Sequence, residues 1–209
     1  MATFVDRNIN EFKTRLKGGG ARPNLFEVSL TFPTLAQADG IANDEVPFMV
    51  KAADLPASNV GDIPVNFRGR ILHVAGDRTF DPWTVTVINN TDWSLRKAFE
   101  NLSNAMNDYV YDSGITNPQS YQSNGRVMQL ARSTKEGTTQ LTNGKIPVVA
   151  AYDFYGLWPS QVSSIALDYG STDTIEEFQI TFQVEYWKPD YSGKWETPKQ
   201  GISGGQVGG

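Results

Sequence analysis

His73 is the only histidine among the 209 residues and there is no cysteine, so imidazole-driven or thiolate chemistry would rest on a single side chain. No G-x-S-x-G elbow and no H-E-x-x-H pair accompanies it. His73 therefore reads as a strand-face residue with a hydrogen-bond partner. Asp77 and Asp81 could form an acid/base pair, but they flank an expected turn, where aspartates commonly bond their own backbone. Asp39, Asp44 and Glu45 supply charge for a calcium loop without its ligand spacing or its glycine. In the stretch 137–145, Gly144-Lys145 is followed by Ile146 where a phosphate loop needs Ser or Thr, so a hairpin turn is the better reading. No catalytic, cofactor-binding or metal-ligating residue is assigned, and the sequence does not read as an enzyme.

Charge narrows the partners. Asp and Glu outnumber Lys and Arg, 23 to 18, for a formal charge of −5, the wrong sign for gripping phosphates by counterion release. This disfavours a nucleic-acid binder but not a conduit for nucleic acid. Without cysteine, packing and strand pairing must hold the fold, which suits assembly in a reducing cytoplasm. The longest apolar stretch, 148–152, is far too short to span a bilayer, and the N-terminus lacks a secretory apolar core. The expectation is a chain that does not insert into membranes.

The elements that would position such residues are mostly strands. Phe4, Val5, Ile9, Phe12 and Leu16 recur at loose helical intervals before Gly18-Gly19-Gly20, which predicts an arm over 1–20. Alternation then begins: Phe26, Val28, Leu30 and Phe32 lie on one face, Glu27, Ser29 and Thr31 on the other. A loop over 33–45 and a strand over 46–53 follow. Ile63, Val65 and Phe67 share one parity, and Leu72 and Val74 the other, which predicts a bulge near Gly69. A turn at Gly76-Asp77 then leads into Trp83, Val85 and Val87 as the central hairpin.

Leu95, Ala98, Phe99, Leu102, Ala105 and Met106 recur at three and four residues, the period of an amphipathic helix of about four turns. Asp92 or Thr91 is its N-cap. A loop is expected over 109–124, strands over 127–131 and 146–154, and another alternating strand over 165–169. The strongest alternation is Phe178, Ile180, Phe182, Val184 and Tyr186 against Glu177, Gln179, Thr181, Gln183 and Glu185. Beyond Trp187 the composition turns to Pro, Gly and polar residues. The domains are accordingly an arm over 1–20, a β domain over 21–188 and a Gly-rich extension over 189–209. The fold class is mainly β: an antiparallel sandwich or barrel-like domain with one flanking amphipathic helix.

Several segments carry a resemblance. Ala21-Arg22-Pro23-Asn24-Leu25-Phe26-Glu27-Val28, Lys51-Ala52-Ala53-Asp54-Leu55-Pro56-Ala57 and, most specifically, Val74-Ala75-Gly76-Asp77-Arg78-Thr79-Phe80-Asp81-Pro82-Trp83-Thr84-Val85-Thr86-Val87 resemble the tail tube proteins of contractile-tailed bacteriophages. Val127-Met128-Gln129-Leu130-Ala131-Arg132, Gly156-Leu157-Trp158-Pro159 and Glu185-Tyr186-Trp187 extend the likeness over 21–187, with Gly156 and Pro159 read as bracketing a corner between two strands. The resemblance implies a ring-forming tail-tube fold whose sixfold rings stack into a hollow tube through which DNA passes unbound. It also implies relatives among type VI secretion inner-tube proteins. Implied partners are further copies of the chain, the tail sheath, baseplate and tail terminator proteins; the implied location is the virion, after assembly in the host cytoplasm.

In such a tube the polar face of 177–186 is the candidate lumen lining: Glu177, Gln179, Thr181, Gln183 and Glu185, whose charge would repel phosphate. Phe4, Phe12, Asp39, Asp44 and Glu45, in the arm and the 33–45 loop, are the candidate ring-stacking residues. Two alternatives stand beside this. One is a baseplate-proximal, tube-initiating protein of the same fold; the other is a carbohydrate-binding β-sandwich that uses Trp83, Trp158, Trp187, Tyr121 and Tyr155.

Overall fold

A computed structural model describes residues 9–16, 20–33, 49–111, 113–131, 146 and 148–190. Helix α1 (Ile9–Arg15) precedes strands β1 (Phe26–Thr31), β2 (Val50–Ala53), β3 (Ser58–Phe67), β4 (Arg70–Phe80) and β5 (Trp83–Ile88). Helices α2 (Ser94–Met106) and α3 (Pro118–Tyr121) follow, then β6 (Ser123–Leu130), β7 (Val148–Val162), β8 (Glu177–Gln183) and β9 (Tyr186–Asp190). The expected mainly antiparallel β fold with a flanking helix is what forms. Its seven body strands run β1-β6-β7-β8-β5-β2 with β9 beside β7, and β3 pairs only with β4.

The body is one sheet folded into two facing halves, and β7 belongs to both. Its first part pairs with β6 and β9, its last residues with β8. The change of side falls at Gly156, whose φ of +65° lies in the left-handed region where a side chain is strained. Gly156 and Pro159 thus sit inside one long strand that turns from one half to the other, and do not bracket a corner between two strands.

The alternating apolar residues explain why the halves close. Val28 and Leu30 from one half and Trp83, Val85, Val87, Phe178, Ile180 and Phe182 from the other are buried. Trp83 stacks on Phe154 at 4.5 Å between ring centroids, joining the two halves directly. Helix α2 buries Leu95, Ala98, Phe99 and Leu102, and Phe99 meets Phe32 at 5.1 Å and Phe182 at 5.9 Å. The helical stripe therefore seals the space between β1 and β8.

Local chemistry corrects several expectations. The N-cap of α2 is Trp93, in left-handed conformation (φ 59°) and without a side-chain cap bond, while Asp92 Oδ1 accepts from the Ser94 N–H at 3.1 Å. Aspartate thus still satisfies one helix-end donor, from one residue further out. The loop expected over 109–124 contains α3, with Asn117 as N-cap accepting from Gln119 N–H, and ends where β6 begins at Ser123. The segment 165–169 is not a strand. After the Ser163 N–H to Gln179 O bond no strand flanks it, and alternation without a partner cannot make a ladder.

The outward face of the first half carries a charged row. Arg126 faces Asp153 across β6 and β7, and Asp153 faces Lys188 on β9. Arg126 is 8 % exposed; it donates Nε to Asp153 Oδ1 at 2.5 Å and Nη2 to Asp153 Oδ2 at 3.1 Å and Asp190 Oδ2 at 3.4 Å. The hydrogen bond to Asp153 leads the causes that raise the guanidinium's pKa further. Asp190 anchors β9, so pairing continues two residues beyond 188.

Candidate functional site

Strands β2 and β3 run in line, as do β4 and β5, making one long hairpin rooted in the body. The root is a kink at 54–57 and 81–82, where Pro56 and Pro82 interrupt the ladder. Trp83 Nε1 donates to Asp54 O at 2.6 Å, Asp81 N to Ala57 O at 3.1 Å, and Asn59 Nδ2 to Asp81 Oδ1 at 3.0 Å. From there β3 and β4 project with almost every residue exposed. Ten residues of strand reach about 33 Å.

The tip is Arg68-Gly69, with φ values of 46° and 81°, the doubly positive pair of a two-residue hairpin turn. Gly69 is thus a turn and not a bulge; it reverses the chain, so the residues after it pair back onto those before. The irregularity lies further down, between Val60↔Arg78 and Asp62↔Ala75, so Gly76-Asp77 is a bulge within β4 and not the expected turn. The hairpin expected around Gly76 is correspondingly re-centred: β5 pairs with β2 and β8, and the reversal is at Arg68-Gly69. A parity switch across Arg-Gly between two alternating runs was the signal for it.

Register gives this hairpin two faces. Ile63↔Val74, Val65↔Leu72 and Phe67↔Arg70 share one; Asp62↔Ala75, Pro64↔His73 and Asn66↔Ile71 share the other. The five apolar residues of the first face are 42–65 % exposed. On the second, His73 Nδ1 lies 2.7 Å from Asp62 Oδ2, the strand-face partner expected for that histidine. Asp77 and Asp81 do not converge on a common site: one is in the bulge, the other is held by Asn59.

The outward face of the second half contains the expected row only in part. Glu177, Gln179, Thr181 and Gln183 lie on β8 opposite Ile88, Thr86, Thr84 and, on β7, Trp158. Glu185 does not belong to this strand, because β8 ends at Gln183 and the chain bends before β9 begins at Tyr186. Its side chain instead crowds Gly156. Lys51 Nζ donates to Glu177 at 2.6 Å, so the face combines hydroxyls and amides with one compensated charge pair and with half-buried Ile88 and Trp158 at its two ends.

Of the stacking candidates, Phe12 lies on α1, 60 % exposed; Phe4, Asp39, Asp44 and Glu45 lie outside the described residues, as does the glycine-bearing stretch 137–145. Of the aromatics of the sugar-binding alternative, Trp83 is fully buried, Trp187 packs on Phe80 and Tyr152, and Tyr155 stacks on Tyr186 at 4.8 Å, while Tyr121 and Trp158 line an open cleft of about 330 Å³. Among the described residues no group of three or more His, Asp or Glu converges as a metal site, and no helix is long and apolar enough to cross a membrane.

An antiparallel two-half β body, a sealing helix and a projecting hairpin with an exposed apolar face define the fold. Residues 21–190 match the phage tail tube protein family, and the chain belongs to it. It is 33 % identical to the tail tube protein gp19 of Enterobacteria phage T4 over 185 residues, covering 88 % of this chain and 99 % of that one. It is 23 % identical to the tail tube protein of Serratia phage KSP90, over 86 % of this chain and 94 % of the relative. The fold is shared with a chain of the anti-feeding prophage baseplate, a sixfold-symmetrised structure, at 14 % identity and a TM-score of 0.54, covering 81 % of this chain and 95 % of the other.

Proposed function

We propose that this tail tube protein assembles into sixfold rings that stack into the hollow inner tube of a contractile tail, and that DNA passes through that tube on ejection. Its role in this reading is structural and non-enzymatic. The observation that carries it is the β3–β4 hairpin, whose apolar face the described residues of the chain leave exposed. Among the described strands, β1, β2 and β9 each pair on one side only, as does the 158–162 end of β7. Ring closure would occupy such edges, removing the liability of unpaired strands.

The polar outward face of β5 and β8 is the proposed lumen lining, with Gln179, Thr181 and Gln183 on it. Its non-stick character rests on neutral hydrogen-bonding groups and the Lys51–Glu177 pair rather than on a field of carboxylates. The proposed partners are the tail sheath, the baseplate and the tail terminator proteins at the outside and ends of the tube. The arm over 1–20 and the part of the extension beyond Asp190 are proposed as segments that contact neighbouring copies.

Negative-stain imaging and size-exclusion chromatography of the purified chain test the reading. Rings or tubes are expected. A chain that stays monomeric at every salt and protein concentration, and is absent from virions, overturns it. Replacing Gln179 and Gln183 by Lys should leave tubes intact while making ejection slower and salt-dependent; unchanged ejection at low salt would remove the lumen assignment.

A further inference from the structure

Helix α1 precedes the residues 21–190 that carry the family match, and its apolar stripe is uncovered. Ile9, Phe12 and Leu16 recur at i, i+3 and i+7 along one side of the helix, 46–61 % exposed, and α1 buries no residue. A helix of seven residues is too short to be stable alone in water, so such a stripe needs a surface to lie on. Lys13 sits beside it, one turn from both Ile9 and Leu16. No ion pair among the described residues includes Lys13, whereas Arg15 is held by Glu11. Over 1–20, Arg7, Lys13, Arg15 and Lys17 outnumber Asp6 and Glu11, so the arm is basic as well as apolar.

One surface of the body has the complementary character. The connection from β7 to β8 bounds an open groove of about 610 Å³, lined by Leu167, Asp168, Tyr169, Ile175, Glu176 and Glu177 among others. Leu167, Tyr169 and Ile175 belong to no strand and are each at least 71 % exposed. The stretch 163–177 contains Asp168, Asp173, Glu176 and Glu177 and no Lys or Arg. Lys51 compensates Glu177, but Asp168 accepts from the Gly170 N–H and Glu176 from the Asn89 amide, neutral donors that leave both charges standing. Stripe and groove are exposed in the same chain, so α1 does not occupy its own groove.

We propose that α1 of one copy lies in the 163–176 groove of another, with Ile9, Phe12 and Leu16 against Leu167, Tyr169 and Ile175 and with Lys13 toward Asp168 and Glu176. The proposal rests on the assembly reading above and names the seat of the arm. It uses the helix-in-groove mode, in which anchors at i, i+3 and i+7 enter an apolar groove, while the opposite charges fix orientation. Gly18-Gly19-Gly20 join the arm to the body, with Gly20 at a φ of +82° that glycine adopts without strain. Arm and groove are different surfaces, so the contact is heterologous and passes from copy to copy. At about 30–40 Å² per residue, scaled from typical interfaces, a helix this short buries only a few hundred Å², well below what holds two free chains together. It acts on copies that other contacts already hold side by side, where the tethered arm is at high local concentration. The arm therefore tightens an assembly and does not start one.

The chain has no cysteine, so single thiols report the contact directly. Lys13→Cys chains and size-tagged Ser171→Cys chains are mixed, allowed to assemble and treated with a short bismaleimide. A mixed covalent dimer is expected from the mixture and from neither variant alone. The Lys13→Cys/Ser171→Cys chain, kept dilute and unassembled, should give no intrachain link; such a link would put the arm in its own groove and overturn the proposal. Phe12→Ala should raise the protein concentration at half assembly about tenfold, the effect of one anchor residue, without moving the melting temperature of the body. Lys13→Glu should weaken assembly, and adding Asp168→Lys should restore it; a loss that Asp168→Lys does not restore overturns the groove as the seat. An assembled mixture without the mixed dimer overturns the contact, and so does a Phe12→Ala chain that assembles like the unmodified one. If the cysteine chains do not assemble, Phe12→Ala and the Lys13→Glu/Asp168→Lys exchange decide. Failure of the unmodified chain to form rings or tubes at all overturns the assembly reading instead, and this contact with it.

Discussion

Asp153→Ala should be the most damaging single charge removal in the body of this protein. Arg126 lies between β6 and β7 at 8 % exposure and is held bidentately by Asp153, with Asp190 reached at 3.4 Å. Breaking a buried pair by removing one partner costs about 3–5 kcal/mol, because the remaining charge has lost the group that compensated its desolvation. Asp190 stays close enough to compensate part of it, so the lower end, about 3 kcal/mol, is expected. For a chain of this size each kcal/mol moves the melting temperature by about 2–4 °C, which gives a fall of about 6–12 °C. Urea titration at fixed low protein concentration, followed by tryptophan fluorescence, measures it. The control is Arg126→Met/Asp153→Leu, which removes both charges and should lie within about 1–2 kcal/mol of the unmodified chain. A double variant as unstable as Asp153→Ala, or an Asp153→Ala loss below about 1 kcal/mol, would refute the claim that an uncompensated buried charge is the cause.

Phe99→Ala removes the ring that joins α2 to Phe32 and Phe182 and should cost about 3–5 kcal/mol in the same titration. Gly156→Ala places a methyl group 2.7 Å from Glu185 Cβ on backbone at φ +65°; the left-handed conformation alone costs about 1–2 kcal/mol, so the loss should exceed that. The Val110 and Tyr111 N–H groups both donate to Asp108 Oδ1, at 2.8 and 2.9 Å, and these bonds lower the carboxyl pKa. Since a depressed pKa contributes stability that is present above the unfolded value and lost as pH falls through the folded one, amide exchange at Val110 and Tyr111 should accelerate below the ordinary aspartate range, beyond the intrinsic pH dependence of exchange. Asp108→Ala should abolish that acceleration.

The sequence by itself determined the periods, and with them the element types and the inward faces. Phe178, Ile180 and Phe182, Trp83, Val85 and Val87, and the Leu95, Phe99 and Leu102 stripe are all buried where alternation or the helical repeat put them. This was legible because burying one face is a local requirement, met by residue spacing whatever the partner. The family likeness was also carried by the sequence, since its segments are contiguous.

What the tertiary structure alone decided is which strand pairs with which and where a strand stops. Ile165, Leu167 and Tyr169 share one parity just as Phe178, Ile180 and Phe182 do, yet they form no strand, because a strand exists only where a neighbour supplies the other half of its ladder. Glu185 continues the parity of Gln183, but pairing on β8 ends before it. Spacing alone assigns a bulge to Gly69 and a turn to Gly76; the register of β3 on β4 reverses the two. The charge of Glu177 was plain in the sequence, but its compensation by Lys51 came from a strand 126 residues away. Long-range pairing sets the electrostatics of a face, and residue spacing does not encode it.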